Sequence, residues 1–209
     1  MATQRTAGPR QAYVWELPVR ITHWLHTLAM LVLAVSGFYV ARPFLASPAG
    51  EASDAYLMGA MRLAHAVAAT VLFVAFIVRA YWGLVGNAYA RGSAFIPTSR
   101  RRWRDFGQHL AYYAMLRRDR PLYVGHNPLA GITYAILYLL VFLQGVTGMA
   151  LYSEYFTGGF WYQTFGWLFH LVWQNNIVRL IHHSLTWAFI IFFLIHLYLA
   201  IDNDITERS

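Results

Sequence analysis

Three histidines, His182, His183 and His196, lie in the apolar run LIHHSLTWAFIIFFLIHLYLAI from Leu180 to Ile201. Imidazole is a common metal ligand and the commonest axial ligand of haem iron. An ionisable side chain in a segment long enough to cross a bilayer is costly and marks a functional site. The spacing narrows the chemistry. At about 100° per residue, the 14-residue interval from His182 to His196 falls about 40° short of four full turns. The two rings therefore share nearly one helix face, about 21 Å apart at about 1.5 Å per residue. They cannot share one metal ion, but each can hold one of two cofactors stacked across a membrane, and haem is the candidate. His183, 13 residues from His196, falls well off that face.

The elements that position these rings follow from composition. The chain has 209 residues, 58% hydrophobic and 12% charged, against about 25% charged in soluble domains. It reads as an all-α membrane protein, a four-transmembrane-helix bundle forming a single domain over residues 1–209, because backbone groups in lipid must be satisfied internally. The alternating segments of about ten residues that mark a membrane β-barrel do not appear. The absence of cysteine excludes disulfides, thiolate zinc sites and cysteine-held iron–sulfur clusters, leaving histidine to hold any metal. The net charge of +7 comes from arginine alone. These arginines sit mostly in loops, where membrane orientation explains them better than nucleic acid does. The N-terminus lacks the order of a signal peptide, so the first helix is expected to remain as an anchor.

Helix 1 is expected at about 21–40, after Pro18 and stopped by Arg42-Pro43. A polar segment, Ser47 to Ala55, precedes helix 2 at about 57–82, whose end Gly83 and Gly86 loosen. The loop 87–127 carries eight arginines and an amphipathic helix near Asp105 to Leu116. Asn127-Pro128 reads as an N-cap and first helical position for helix 3, at about 129–152. The aromatic loop Ser153 to Asn176 suits the lipid–water interface. Helix 4 is expected at about 177–201, before a short acidic tail. The sequence shows no internal repeat.

Four spans put both termini on one side. That side and the middle loop hold twelve arginines, while the opposite loops hold only Arg42, Arg62 and Arg179. The positive-inside rule then makes both termini and the middle loop cytoplasmic. With this orientation four histidines sort by depth, His65 with His182 toward the outside and His23 with His196 toward the inside. Each pair supplies both axial ligands of one haem. His26, one turn beyond His23, is the alternative to it. Gly37 lies 14 residues beyond His23, and Gly145 lies 14 beyond Gly131. Such positions give clearance for a porphyrin or, more commonly, helix packing. Arg79, 14 beyond His65, is a candidate partner for a haem propionate or an interfacial anchor. His126, before helix 3, is placed to exchange a proton with a quinone headgroup. His109, His170 and His183 read as ordinary hydrogen-bonded histidines.

These motifs resemble a known family. Arg20-Ile-Thr-His23-Trp24-Leu with Ser36-Gly37 resembles the first-helix signature of the b-type cytochrome subunit of membrane-bound nickel–iron hydrogenases. Gly125-His126-Asn127-Pro128-Leu129-Ala130 resembles that family's entry to helix 3. His182-His183, with Trp187, Phe192 and His196, resembles its last-helix signature. His26 is an addition to the usual string. The resemblance implies that His182 is the ligand of the tandem pair and that the subunit carries two haems b in a bacterial inner membrane. It implies partners too: an iron–sulfur small subunit and a nickel–iron large subunit on the periplasmic side, with a menaquinone or ubiquinone as acceptor. Hydrogen would be activated on those partners, not here.

Two readings compete: the cytochrome b gamma subunit of a formate dehydrogenase, similar in plan, and a histidine-lined metal transporter. Against the transporter, the histidines on helix 4 stand too far apart for one ion, and the spans hold almost no Asp or Glu to move a cation. A purely structural anchor with buried histidines is a third.

Overall fold

The computed structural model describes residues 13–45, 56–92, 95–119, 121, 127–172 and 174–208. The polar segment Ser47 to Ala55 and His126 lie outside them. Every regular element among the described residues is helical: α1 Leu17–Ala41, α2 Leu57–Val85, α3 Arg100–Tyr113, α4 Pro128–Ser153, a 3-10 turn Glu154–Phe156, α5 Phe160–Phe165, α6 Trp167–Val172 and α7 Asn175–Arg208. Four helices are long and apolar enough to cross a membrane, within 17–41, 57–85, 128–156 and 175–202. The protein is thus an all-α, multi-pass membrane protein. Large apolar side chains such as Leu28, Leu63, Phe142 and Ile191 stand exposed along these spans, a surface that only lipid or partner protein stabilises.

Contacts divide the chain into two compact units, residues 1–135 and 136–209. In the first, α1 packs on α2 through small residues. The buried residues of α1 are Thr22, Ala29, Ser36 and Tyr39, and those of α2 are Ala68, Leu72, Ala75 and Arg79. Steps of three, four and seven keep each stripe on one helix face. Small side chains let membrane helices approach closely, where van der Waals contact replaces the missing hydrophobic drive. α1 begins with a proline in its first turn and ends at Arg42, whose φ of −149° and ψ of 99° are the extended backbone that a following proline requires.

Glu16 fastens the start of α1 to the end of α2. Its carboxylate accepts from the Trp82 indole N–H at 2.8 Å and from the Asn87 backbone N–H at 2.9 Å. Ser99 caps α3 by accepting from the Arg102 N–H. The helix starts five residues before the expected Asp105 because this cap precedes the arginine run. It stops at Met115, whose φ of 61° is left-handed. The expected cap of α4 is present, with Asn127 Oδ1 accepting from the Ala130 N–H at 2.8 Å.

In the second unit, Ala150, Phe169 and Val178 are the buried core, with Tyr162, Phe165 and Leu168 against it. The aromatic segment expected as a loop is therefore two short helices and a turn, packed on the end of α4 and the start of α7. Glu154 accepts from Asn175 Nδ2 and from Arg179 at 3.2 Å, tying the same two ends. α7 runs to Arg208 and not to Ile201. Hydropathy marks where apolar surface stops, whereas Asp202 to Arg208 continue the helix with residues compatible with it.

Glu16→Ala leaves the Trp82 and Asn87 N–H groups without their acceptor. It is expected to cost about 1–3 kcal/mol, read as a lower unfolding midpoint of the purified protein in detergent.

Candidate functional site

His65 lies on α2 one turn before Ala68 and continues that helix's buried stripe toward α1. Its Nδ1 is 3.0 Å from Ser36 Oγ. The Ser36 hydroxyl also lies 2.6 Å from the Val32 carbonyl; with its proton on that carbonyl its oxygen accepts, and His65 Nδ1 then carries the hydrogen. That assignment leaves Nε2 with the lone pair. Gly37 makes the approach possible, since a Cβ there would stand 3.2 Å from His65 Cε1 and 3.6 Å from Nδ1.

The second unit repeats the arrangement with other residues. His182, on α7, has Nδ1 2.9 Å from Thr147 Oγ1 on α4. The Thr147 hydroxyl lies 2.9 Å from the Leu143 carbonyl; with its proton there, Nδ1 carries the hydrogen here too. A Cβ on Gly148 would stand 3.1 Å from His182 Cε1. Gln144 completes the set. Its Nε2 donates to His182 Nε2 and to Thr186 Oγ1, both at 3.2 Å, while Thr186 donates to the His182 carbonyl. An amide nitrogen that donates to Nε2 requires a lone pair there, which agrees with the Thr147 assignment. Gln144 Oε1 is buried without a hydrogen-bond partner.

At the other end of the α1–α2 contact, Arg79 is buried, 6% exposed. It donates to the Ala90 carbonyl at 3.3 Å and lies 5.2 Å over the Phe95 ring. His26 and Tyr134 lie near it. Four residues beyond the buried Thr22, His26 lies on the α1 face that packs on α2, whereas His23 is exposed and meets Trp24 edge-on at 5.4 Å. His196 stacks on Phe192, ring centroids 5.5 Å apart. Of the other histidines, His183 is exposed and edge-on to His182. His109 is buried on α3 with Nδ1 2.7 Å from the Asp105 carbonyl. His170 is exposed on α6.

Sequence reasoning singled out His65, His182 and Gly37 but missed Thr147, Gly148 and Gln144. Gly37 packs on an imidazole, so helix contact is what its missing side chain serves here. Nothing lies within 4 Å of a Cβ on Gly145. The available signal was the dipeptide: Ser36-Gly37 and Thr147-Gly148 begin five and six residues before the end of a membrane helix.

Each imidazole thus offers a lone pair at Nε2, a hydrogen-bonded Nδ1–H and a glycine beneath its ring. These are the features of a histidine set up to ligate iron. With such rings on membrane-length helices, the class is a membrane-embedded b-type cytochrome. The comparisons agree. Residues 14–208 match the family model for prokaryotic cytochrome b561, and the chain belongs to that family, whose cofactor is b-type haem. A probable Ni/Fe-hydrogenase B-type cytochrome subunit of Bradyrhizobium diazoefficiens is 39% identical over 99% of this chain and 84% of its own. The protein of the same description from Rhodobacter capsulatus is 38% identical over 94% and 76%. A probable Ni/Fe-hydrogenase 1 B-type cytochrome subunit of Escherichia coli K12 is 35% identical over 92% and 83%.

A valine at Gly37 or at Gly148 would force the adjacent imidazole from its place. Each variant is expected to bind less haem per chain, measured by pyridine haemochrome assay against protein. Alanine is expected to cost less, because a lone Cβ needs only a few tenths of an ångström.

Proposed function

We propose that this chain is the membrane electron-transfer subunit of a quinone-linked nickel–iron hydrogenase and carries two haems b. His65 and His182 are the axial ligands of the outer haem, and His23 and His196 those of the inner one. The observation that carries the reading is the pair of imidazoles, His65 and His182, each with Nδ1 on a neighbouring hydroxyl and a glycine beside its ring. Each lies about two turns from the start of its own helix.

Haem supplies a one-electron carrier with no proton chemistry of its own. The chain's residues hold the rings on stiff helices and exclude water with their apolar flanks, which is the protein's part in cofactor chemistry. Arg79, buried beside His26, is the candidate for a propionate of the inner haem, since guanidinium pairs well with carboxylate. His126 remains the candidate beside the quinone.

The relatives' names support a hydrogenase partner over a formate dehydrogenase. The partners are then an iron–sulfur small subunit and a nickel–iron large subunit, and the acceptor is menaquinone or ubiquinone. The arginine distribution supports a bacterial inner membrane location with both termini and the loop 87–127 cytoplasmic. One domain spanning residues 1–209 goes with this reading, because each haem takes one ligand from the first helix pair and one from the second.

Reduced-minus-oxidised spectra of the membrane complex, with hydrogen as sole donor, test the proposal. Two b-type haems per chain are expected. His65→Ala with His182→Ala should remove one, and His23→Ala with His196→Ala the other. Haem content unchanged in either double variant would overturn the assignment.

A further inference from the structure

The geometry points to Ser36 and Thr147 as positioning residues that preset both axial imidazoles of the outer haem, each from the helix that precedes its histidine. The inference rests on the ligand assignment just proposed and goes beyond it, to how the ligand nitrogen is chosen.

A neutral imidazole has two tautomers, and only the nitrogen without hydrogen can bind iron. A free hydroxyl does not choose between them, because it can donate to a ring nitrogen as readily as accept from an N–H. Ser36 and Thr147 are not free. Each stands within donating distance of the carbonyl four residues earlier on its own helix, at 2.6 Å and 2.9 Å, the acceptor a helical hydroxyl ordinarily takes. In an apolar surrounding that bond has no water to replace it. The oxygen can only accept, so Nδ1 of the approaching ring must carry the hydrogen. At His182 the choice is made twice, because Gln144 Nε2 also requires a lone pair on the ring's Nε2. When Nε2 ligates iron, Gln144 gives up this bond, and Thr186 remains its partner.

Both contacts lie inside one helix pair, α1 with α2 and α4 with α7. Each half of the site is therefore complete in its own unit, with the ligating nitrogen already selected. Ser36 and Thr147 also set how strongly the rings donate electrons. A hydrogen bond from Nδ1–H raises the basicity of Nε2 and favours ferric over ferrous iron. A neutral hydroxyl does so more weakly than the carboxylate found behind many metal-bound histidines.

The test uses Ser36→Ala, Thr147→Val and Thr147→Ser in the full membrane complex. Thr147→Val keeps the shape and removes the hydroxyl, whereas Thr147→Ser keeps the hydroxyl. The readouts are haem per chain, the midpoint potential of each haem by spectroelectrochemical titration, and the low-spin electron paramagnetic resonance signal of each ferric haem. Ser36→Ala and Thr147→Val should raise the outer potential, by roughly tenfold in the one-electron equilibrium or about 59 mV, and shift that haem's signal. The inner haem should be unchanged and Thr147→Ser should match the parent. Loss of the outer haem in Thr147→Val, with the inner haem intact and Thr147→Ser loaded, supports the same role. An unaltered outer potential and signal in both hydroxyl-free variants would overturn it, as would equal effects of Thr147→Val and Thr147→Ser. The His65→Ala with His182→Ala variant separates the two failures. If it loses one haem while the hydroxyl variants do nothing, the ligand assignment stands and the positioning role falls. If it loses none, both fall.

Discussion

A hydroxyl inside an apolar helix has one proton and one obvious place to put it, the carbonyl a turn earlier. Thr27, Ser36, Thr70, Thr133, Thr147, Thr164 and Thr186 all do so. In water this back-bond competes with solvent and slightly disfavours the helix. Among apolar side chains it fixes the hydroxyl as an acceptor. Wherever such a residue meets a histidine on the next helix, it settles which ring nitrogen keeps the hydrogen. The arrangement of His65 and His182 follows from that one constraint, together with a glycine beside each hydroxyl that lets the ring come close.

The same economy runs along the α1–α2 contact. From His65 the α2 stripe continues through Ala68, Leu72 and Ala75 to Arg79, while α1 returns Ser36, Ala29, His26 and Thr22. The small residues in the middle bring the helices together. The polar ones gather at the ends, Ser36 with His65 at one and His26 with Arg79 at the other. Burying Arg79 is costly unless it is paired or hydrogen-bonded, and the Ala90 carbonyl and the Phe95 face supply part of that compensation. A cation over an aromatic face gains about 0.5–2 kcal/mol, more when desolvated.

The four spans were legible in the sequence because hydropathy and helix length are local properties. The Asn127 cap was legible for the same reason. Helix ends were less so: α7 outruns its apolar stretch by seven residues, since charge ends a membrane span without ending a helix. The aromatic segment after α4 reads as a loop because its short helices, of six residues each, are stabilised by packing rather than by periodicity. In the candidate site, His65 and His182 stood out because an ionisable side chain in an apolar helix is rare. Thr147 did not, and Ser36 entered only as part of a first-helix signature, because their contacts lie 35 and 29 residues away in the chain. Gly37 drew notice for its distance from His23, yet the residue that needs its bareness is His65 on the next helix.

Ser36-Gly37 with His65, and Thr147-Gly148 with His182, place the same three groups in the same order on two successive helix pairs. The surrounding residues share little: Leu33 and Phe38 in one pair stand where Gln144 and Met149 stand in the other. A repeat search sees two dipeptides and two histidines, too little to register. Physical selection acts on less than sequence comparison can detect. A committed hydroxyl, a missing side chain and an imidazole are sufficient to present a ligating nitrogen from lipid-facing helices, and everything between them is free to vary so long as it stays apolar and helical. The clearest difference between the halves is Gln144, which bonds His182 and has no counterpart on His65 among the described contacts. That difference lies on the ring whose helix also carries His196, 14 residues further along the same face.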